Sequence, residues 1–160
     1  MSKGKKLNSM RLLEARSIAY EVLYYDETIR DAQQVAQALG LNADEVFKTL
    51  VAEAPGSPKP ILVMLPSNRQ LDLKRLAKAL GVKKAALASQ ADAERLTGLQ
   101  VGGISALALM PKRWDVYLDR CALAPDHIVI SAGKRGVQLR LVTSALITLL
   151  GCRVITVAEA

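Results

Sequence analysis

One lysine interrupts an apolar, β-prone stretch at residues 46–51, whose sequence is VFKTLV. Side chains alternate along a strand, so Val46, Lys48 and Leu50 would share one face of it. An unpaired ammonium is costly to bury. Lys48 must therefore extend its head into solvent, meet an anionic partner, or face a cavity that holds a ligand, and residue type alone leaves these alternatives open.

Two glycine-containing loops follow in the chain, VGGIS at 101–105 and SAGKRG at 131–136. Gly102 and Gly103 would let the backbone approach a ligand closely, and N–H groups there could meet a developing oxyanion. Lys134 and Arg135 add two cations to the second loop, which suits the phosphate-bearing end of a nucleic acid. Both patterns also fit ordinary structure, because paired glycines form tight turns and adjacent cations lie on solvated loops.

The composition favours a globular protein, and its basic charge suits an anionic partner, although many soluble proteins carry such a charge without one. The chain has 160 residues, which predicts one domain over 1–160, and 51% of them are hydrophobic. Aromatic residues make up only 4%, which argues against an RNA-binding sheet lined with stacking rings. The net charge of +7 suits a polyanion such as RNA, and residues 1–8 are predicted to be a basic flexible arm.

Other classes of site are not indicated by the residue pattern. Cys121 and Cys152 are far apart, and with the single His127 they form no metal-ligand spacing, so we expect no metal, no cofactor and reduced thiols. Ser105 lacks a histidine or aspartate at a spacing typical of a catalytic triad. No apolar run reaches the roughly 18 residues that a membrane span needs, so we expect a cytoplasmic protein without membrane contact.

The apolar periodicity predicts an α+β fold with about seven strands and four or five helices. Asn8 or Ser9, Asp72 and Thr143 are expected to cap helices, and two more helices should open at Asp31 and at Ser89 or Gln90. Helices are expected to end at Gly40, Gly81, Gly98 and Gly151. The proline-rich turn at 54–60 should join the Lys48 strand to residues 61–65 in a hairpin.

Four motifs occur in order along the chain: FKTL at 47–50, TG at 97–98, GGIS at 102–105 and GKRG at 133–136. Together they resemble the YbaK family, which includes the editing domain of prolyl-tRNA synthetase and free-standing aminoacyl-tRNA deacylases. The resemblance runs from about Leu12 to the last predicted helix. The stretches QLDLKRLAKALGVKK and TGLQVGGIS are similar to the Cys-tRNA(Pro) deacylase branch.

The resemblance implies a mixed, largely antiparallel β-barrel flanked by helices. It also implies a trans-acting deacylase that removes a mischarged amino acid, cysteine or another small residue, from tRNA, with tRNA(Pro) as the first expectation. For cysteine, the substrate's own thiol can attack its ester carbonyl. Lys48 and Gly103 would be the catalytic residues, and the partners would be the tRNA acceptor end and an aminoacyl-tRNA synthetase.

The motifs and the resemblance together also give a set of substrate-binding residues, namely Tyr25, Thr49, Gly102, Ile104, Ser105, Gly133, Lys134, Arg135 and Gln138. Three positions depart from the family pattern. Ala106 replaces a proline, which frees φ at that position and would loosen the loop. Gln138 replaces an aspartate, which would weaken attraction to a lysine or to the substrate amine. Apolar Leu23 replaces a histidine.

Two other functions remain open from the sequence. The first is a non-catalytic tRNA- or nucleotide-binding module of the same fold. The second is a hydrolase of small esters, which would not need a basic surface. Release of amino acid from a panel of mischarged tRNAs separates the three possibilities.

Overall fold

Five α-helices and eight strands form within residues 5–159, the part of the chain that the computed structural model describes. The helices are α1 (Asn8–Ala15), α2 (Ala32–Leu39), α3 (Leu73–Leu80), α4 (Gln90–Thr97) and α5 (Thr143–Leu150). The strands are β1 (Glu21–Tyr24), β2 (Phe47–Glu53), β3 (Ile61–Pro66), β4 (Ala86–Leu87), β5 (Val116–Asp119), β6 (His127–Ser131), β7 (Val137–Val142) and β8 (Arg153–Ile155). The predicted α+β class is confirmed.

Most of the predicted helix ends are confirmed by the backbone. The side chains of Asp31, Asp72 and Ser89 accept hydrogen bonds from N–H groups in the first turns of α2, α3 and α4. Each of these three helices, and α5 as well, ends at a glycine in the left-handed conformation. Glycine adopts the left-handed conformation at little cost because it carries no side chain. A glycine after an apolar helical pattern therefore predicts where the helix ends.

The predicted caps of the first and last helices are wrong. The N-cap position of α1 is Leu7, which makes no side-chain hydrogen bond, and the Ser9 hydroxyl instead donates to the Ala132 carbonyl at 2.6 Å. Thr143 is the first residue of α5, after Val142 at the N-cap, and its hydroxyl donates to the Pro125 carbonyl. Both hydroxyls serve tertiary contacts, which a local pattern cannot reveal.

The strands form two sheets, ordered β1-β7-β6 and β4-β2-β3-β5-β8. The first is antiparallel, whereas in the second β3-β5 and β5-β8 are parallel pairs. The predicted hairpin is present as β2 and β3, and it places Lys48 opposite Leu65. The sheets meet where the Val129 N–H donates to the Glu45 carbonyl at 2.8 Å.

Aliphatic side chains fill the core, as the low aromatic content requires. The largest cluster combines residues of both sheets with residues of α1, α4 and α5, for example Leu13, Phe47, Leu118, Ile130 and Leu139. A second cluster packs α3 against the five-stranded sheet, and a third packs α2 beside the junction of the two sheets. The start of β2 therefore lies between α2 and the main core.

The N-terminal segment is described from Lys5 onward, and residues 1–4 of the predicted arm lie outside the described residues. The Lys6 ammonium lies 2.6 Å from a Glu14 carboxylate oxygen, and Asn8 already belongs to α1. None of the helices within residues 5–159 is long and apolar enough to cross a membrane.

A buried carboxylate at the end of β5 fastens the C-terminal segment. Asp119 is 1% exposed, and its Oδ1 accepts from the N–H groups of Val157 and Ala158, both at 2.9 Å. Its Oδ2 accepts from the Cys121 N–H at 2.9 Å. Burial alone raises the pKa of this carboxyl, but the hydrogen bonds from Cys121, Val157 and Ala158 outweigh burial and lower it. The ionised form is therefore the one that stabilises the fold.

We expect Asp119→Asn to lower the free energy of unfolding by about 2–3 kcal/mol, because hydrogen bonds to a charged acceptor contribute about 1.5–3 kcal/mol. Since the folded pKa lies below the unfolded one, the stabilisation is present above the unfolded pKa. It is lost as pH falls through the folded pKa. Urea denaturation across the acid range measures both effects. The exposed Asp115→Asn is the control, and an Asp119 variant matching it at every pH would contradict this role.

Candidate functional site

A cavity of about 520 Å³ opens where the N-terminus of α2, strand β2, the start of α4 and the first glycine loop come together. Its walls are largely apolar, with Val35, Phe47, Leu50, Val51, Ala93 and Ile104 among them. The polar groups on its lining are Arg30, Asp31, Lys48, Thr49, Gln90, Ser131 and Gln138. An apolar cavity with a few convergent polar groups is typical of a small-molecule site.

Lys48 is the second residue of β2, and its half-buried side chain lines this cavity. Burial lowers the pKa of its ammonium, and the negative charge of Asp31 opposes that shift. Lys48 forms no salt bridge with any of residues 5–159. The sequence left three alternatives for the Lys48 side chain, and the structure favours the one in which it faces a cavity.

Sequence reasoning missed Asp31 as a cavity residue. Asp31 was predicted only as a helix cap, and that role is present, since Oδ2 accepts from the Gln34 N–H at 3.1 Å. Its carboxylate also lies on the cavity lining, close enough to Lys48 to affect the pKa of the lysine. A cap residue that follows a loop can serve a site as well, but only the tertiary position of α2 reveals it. Arg30 and Ser131 were missed for the same reason.

The first glycine loop contributes Gly102 and Ile104 to the cavity, but Gly103 lies behind them. Gly102 has φ +94°, which only glycine adopts readily. The Gly103 N–H, which was predicted to meet an oxyanion, already donates to the Gln100 carbonyl at 2.8 Å. A Cβ at Gly103 would lie 2.9 Å from the Arg135 backbone nitrogen, so close packing of the two loops explains this glycine.

Ser131 is the residue of the second glycine loop that lines the cavity, whereas Gly133, Lys134 and Arg135 are not on its wall and support the first loop. Arg135 is not solvated: its side chain is 15% exposed and its Nε donates to the Val101 carbonyl at 2.7 Å. Glu94 completes this contact, since its Oε2 accepts from the Val101 N–H at 2.8 Å and lies 4.0 Å from Arg135 Nη2. Lys134 alone is exposed.

Gln138 lies on β7, opposite Leu23 of β1 and Ser131 of β6, and its side chain lines the cavity. It is only 5% exposed, and its Oε1 has no hydrogen-bond partner among residues 5–159. An unpartnered buried acceptor is costly, so this oxygen is suited to a donor that a ligand brings. Thr49 also lies on the cavity wall.

Two other predicted residues lie away from the cavity lining. Ser105 is 1% exposed, and its Oγ accepts from the Ala108 N–H at 3.2 Å, so it stabilises the turn after the glycine loop. The Tyr25 N–H donates to the Gly136 carbonyl at 3.0 Å, which ties the end of β1 to the second loop. The Tyr25 hydroxyl is buried without a hydrogen-bond partner among residues 5–159.

A larger cavity of about 740 Å³ lies elsewhere and contains none of the predicted site residues. Its lining carries charges of both signs, including Asp44, Glu45, Arg69, Asp126 and Arg140. The positive and negative side chains can neutralise one another, and this cavity is more open to solvent than the smaller one. The smaller cavity combines apolar walls with an ammonium that has no ion-pair partner among residues 5–159, so it is the better candidate for a reaction site.

Known proteins resemble this chain over most of its length. The model of the aminoacyl-tRNA editing domain matches residues 26–149. An Enterococcus faecalis protein, proposed to be a Cys-tRNA(Pro)/Cys-tRNA(Cys) deacylase, is 37% identical over 91% of this chain and 88% of its own. The multifunctional Ser/Thr-tRNA deacylase of Escherichia coli K12 is 28% identical over 70% of this chain and 69% of its own.

A solved structure shows the same fold. The crystal structure of a protein proposed to be a trans-editing enzyme for prolyl-tRNA synthetase has a TM-score of 0.81 and 23% identity, covering 98% of this chain and 100% of that one. The family match includes every residue that lines the smaller cavity, from Arg30 to Gln138. The chain therefore belongs to the aminoacyl-tRNA editing domain family.

Proposed function

We propose that this protein is a trans-acting aminoacyl-tRNA deacylase that releases a wrongly attached amino acid from tRNA. The observation that carries the proposal is the Lys48 ammonium, half-buried on the wall of a 520 Å³ cavity in a chain of the editing family. Relatives named as Cys-tRNA and Ser/Thr-tRNA deacylases support a small amino acid. Cysteine on tRNA(Pro) is the first substrate to test.

Lys48 would act by stabilising charge on the ester during the reaction. When water attacks the ester carbonyl, negative charge develops on the carbonyl oxygen, and the C–O bond to the ribose then breaks while the ribose oxygen takes a proton. With cysteine, the substrate's own sulfur can be the attacking atom instead. A fixed ammonium in a largely apolar cavity stabilises this developing charge more strongly than it would in water.

The other cavity residues would hold the ester in place. Gly102 brings backbone close to the cavity, so we assign the role of a backbone contact to Gly102 rather than Gly103, whose N–H is already bonded. The unpartnered Gln138 Oε1 would accept a hydrogen bond from a donor on the substrate, and Thr49 lies nearby on the same lining. Removal of water from such a site also favours a single reactive geometry.

The non-catalytic binding module is the second candidate. Two observations favour it: the Gly103 N–H is already engaged, and Ser105 is buried in a turn. In that case the cavity would bind the aminoacylated end of tRNA without turnover.

The proposal also covers the closure of the two sheets, the extent of the domain, its place in the cell and a protein partner. We infer that the two sheets close into the barrel that the resemblance implies, which the Val129–Glu45 hydrogen bond supports. Residues 1–160 would act as one domain in the cytoplasm, where tRNA is charged. A prolyl-tRNA synthetase is a reasonable partner, given the name of the structural relative.

We expect Lys48→Met to lower deacylation about a hundredfold, because loss of one charge-stabilising contact commonly has that effect. The melting temperature should stay equal to that of wild type or rise. Since the folded pKa of Lys48 is lowered, its ammonium disfavours folding at neutral pH, and methionine removes that charge at similar size. The assay measures amino acid released from tRNA charged with cysteine, serine, threonine, alanine or proline.

Lys59→Met is the matched control, because Lys59 is exposed at the opposite end of the β2–β3 hairpin. Wild-type turnover on at least one mischarged tRNA supports the deacylase. Binding without turnover would favour the second candidate, and action only on a minimal ester would indicate a small-ester hydrolase. A variant at Lys48 with full activity would remove the lysine from the mechanism, and a collapsed melting temperature would make it structural.

We expect tRNA binding to weaken as salt rises, because cationic side chains displace counterions from phosphates. Lys134→Glu should weaken binding and reduce the slope of log affinity against log salt by about 1. Lys134 is exposed and shares a small crevice with Lys5, so it can meet a phosphate, whereas Arg135 cannot be reversed without disrupting the glycine loops. Filter binding at several salt concentrations measures the slope. Lys59→Glu should change it less, and an equal change in both variants would exclude a specific role for Lys134.

A further inference from the structure

Positive charges outnumber negative charges on the cavity lining. Within residues 5–159 they are Arg30, Asp31 and Lys48, so two cations and one carboxylate face the same space. An amino acid esterified to tRNA carries an α-ammonium at neutral pH, because the ester removes only the carboxylate. Without an anionic partner, that ammonium would be repelled by the two cations that line the cavity.

Asp31 has the geometry to be that partner. Its backbone is fixed, since its carbonyl accepts from the Val35 N–H at 2.9 Å, and its Oδ2 accepts from the Gln34 N–H. Its Oδ1 takes part in none of the hydrogen bonds found among residues 5–159, and the carboxylate forms no salt bridge there. One carboxylate oxygen is therefore available to a ligand.

The separation of Asp31 from Lys48 is equally informative. Both groups line the cavity, and the charge of Asp31 acts on Lys48, yet they do not approach within the 4.0 Å of a salt bridge. A pair held apart in this way can place an ester between them, with its ammonium toward the carboxylate and its carbonyl oxygen toward the lysine. The ammonium of the aminoacyl group is stabilised by a negative charge, and its carbonyl oxygen by a positive one. Asp31 supplies the first and Lys48 the second.

We propose that Asp31 binds the free α-ammonium of the substrate, so that the enzyme selects aminoacyl-tRNA and rejects tRNA whose amino acid is N-acylated. This inference rests on the proposed deacylase function and adds a requirement for the substrate. Acylation removes the positive charge and adds bulk at the nitrogen, and the remaining amide offers a single N–H to the carboxylate. Peptidyl-tRNA and N-formylated aminoacyl-tRNA are excluded on the same grounds.

The test compares two esters and two asparagine variants. The substrates are the mischarged tRNA that wild type hydrolyses fastest and the same tRNA after N-acetylation of its amino acid. Asp31→Asn removes the charge but keeps a good N-cap residue, so α2 should remain folded. Asp72→Asn is the matched control, because Asp72 is also an N-cap aspartate, on α3, and does not line the cavity; its Oδ2 additionally lies 3.5 Å from Arg75 Nε. Asp31→Ser is a second neutral cap that guards against an effect specific to asparagine.

Wild type and the Asp72 variant should hydrolyse the free-amine ester at least about tenfold faster than the acetylated one, consistent with a lost charge-assisted hydrogen bond. Both Asp31 variants should lose this preference, chiefly through a raised KM for the free amine, so that the ratio of the two rates falls toward 1. An Asp31 variant that keeps the wild-type preference would overturn the inference and leave the deacylase intact. A wild-type protein that hydrolyses neither ester would overturn the proposed function itself.

Discussion

The arrangement of the site depends on one ammonium that is partly removed from water and has no ion-pair partner in the part of the chain that the structure describes. Lys48 is half-buried at the start of β2, and burial lowers its pKa while Asp31 limits the shift. A protein gains no stability from this arrangement, because desolvation disfavours the charge and the Asp31 carboxylate stays beyond salt-bridge distance. Such a charge is expected where a ligand completes its environment.

The two glycine loops place the rest of the cavity around that charge. Gly103 lets the loops approach within the distance that any side chain would block, and the Glu94, Val101 and Arg135 contacts hold them together. This network fixes Gly102 on the cavity wall, while Gly133, Lys134 and Arg135 lie away from that wall. The cations of the second loop thereby divide into a structural arginine and an exposed lysine, although they are neighbours in sequence.

Local patterns made a large part of this structure predictable. The hairpin that carries Lys48 follows from a proline-rich turn between two β-prone runs, and the Asp31 cap follows from a single residue before an amphipathic helix. The Gly103 N–H bonds locally to Gln100, in a turn that a pair of glycines does not specify by itself. The largely buried Arg135 and the cavity-facing Asp31 could not be foreseen, since each depends on segments that are distant in sequence. The same limit explains Ser9, whose hydroxyl bonds to Ala132 rather than capping its own helix.

The most direct measurement is a crystal structure with a stable analogue of the substrate, in which an amide replaces the ester between a small amino acid and the 3′ position of adenosine. The account predicts that the aminoacyl group lies in the 520 Å³ cavity, with its carbonyl oxygen within hydrogen-bond distance of Lys48 Nζ. An aminoacyl group bound in the larger cavity, beside Arg69 and Arg140 and away from Lys48, would contradict it.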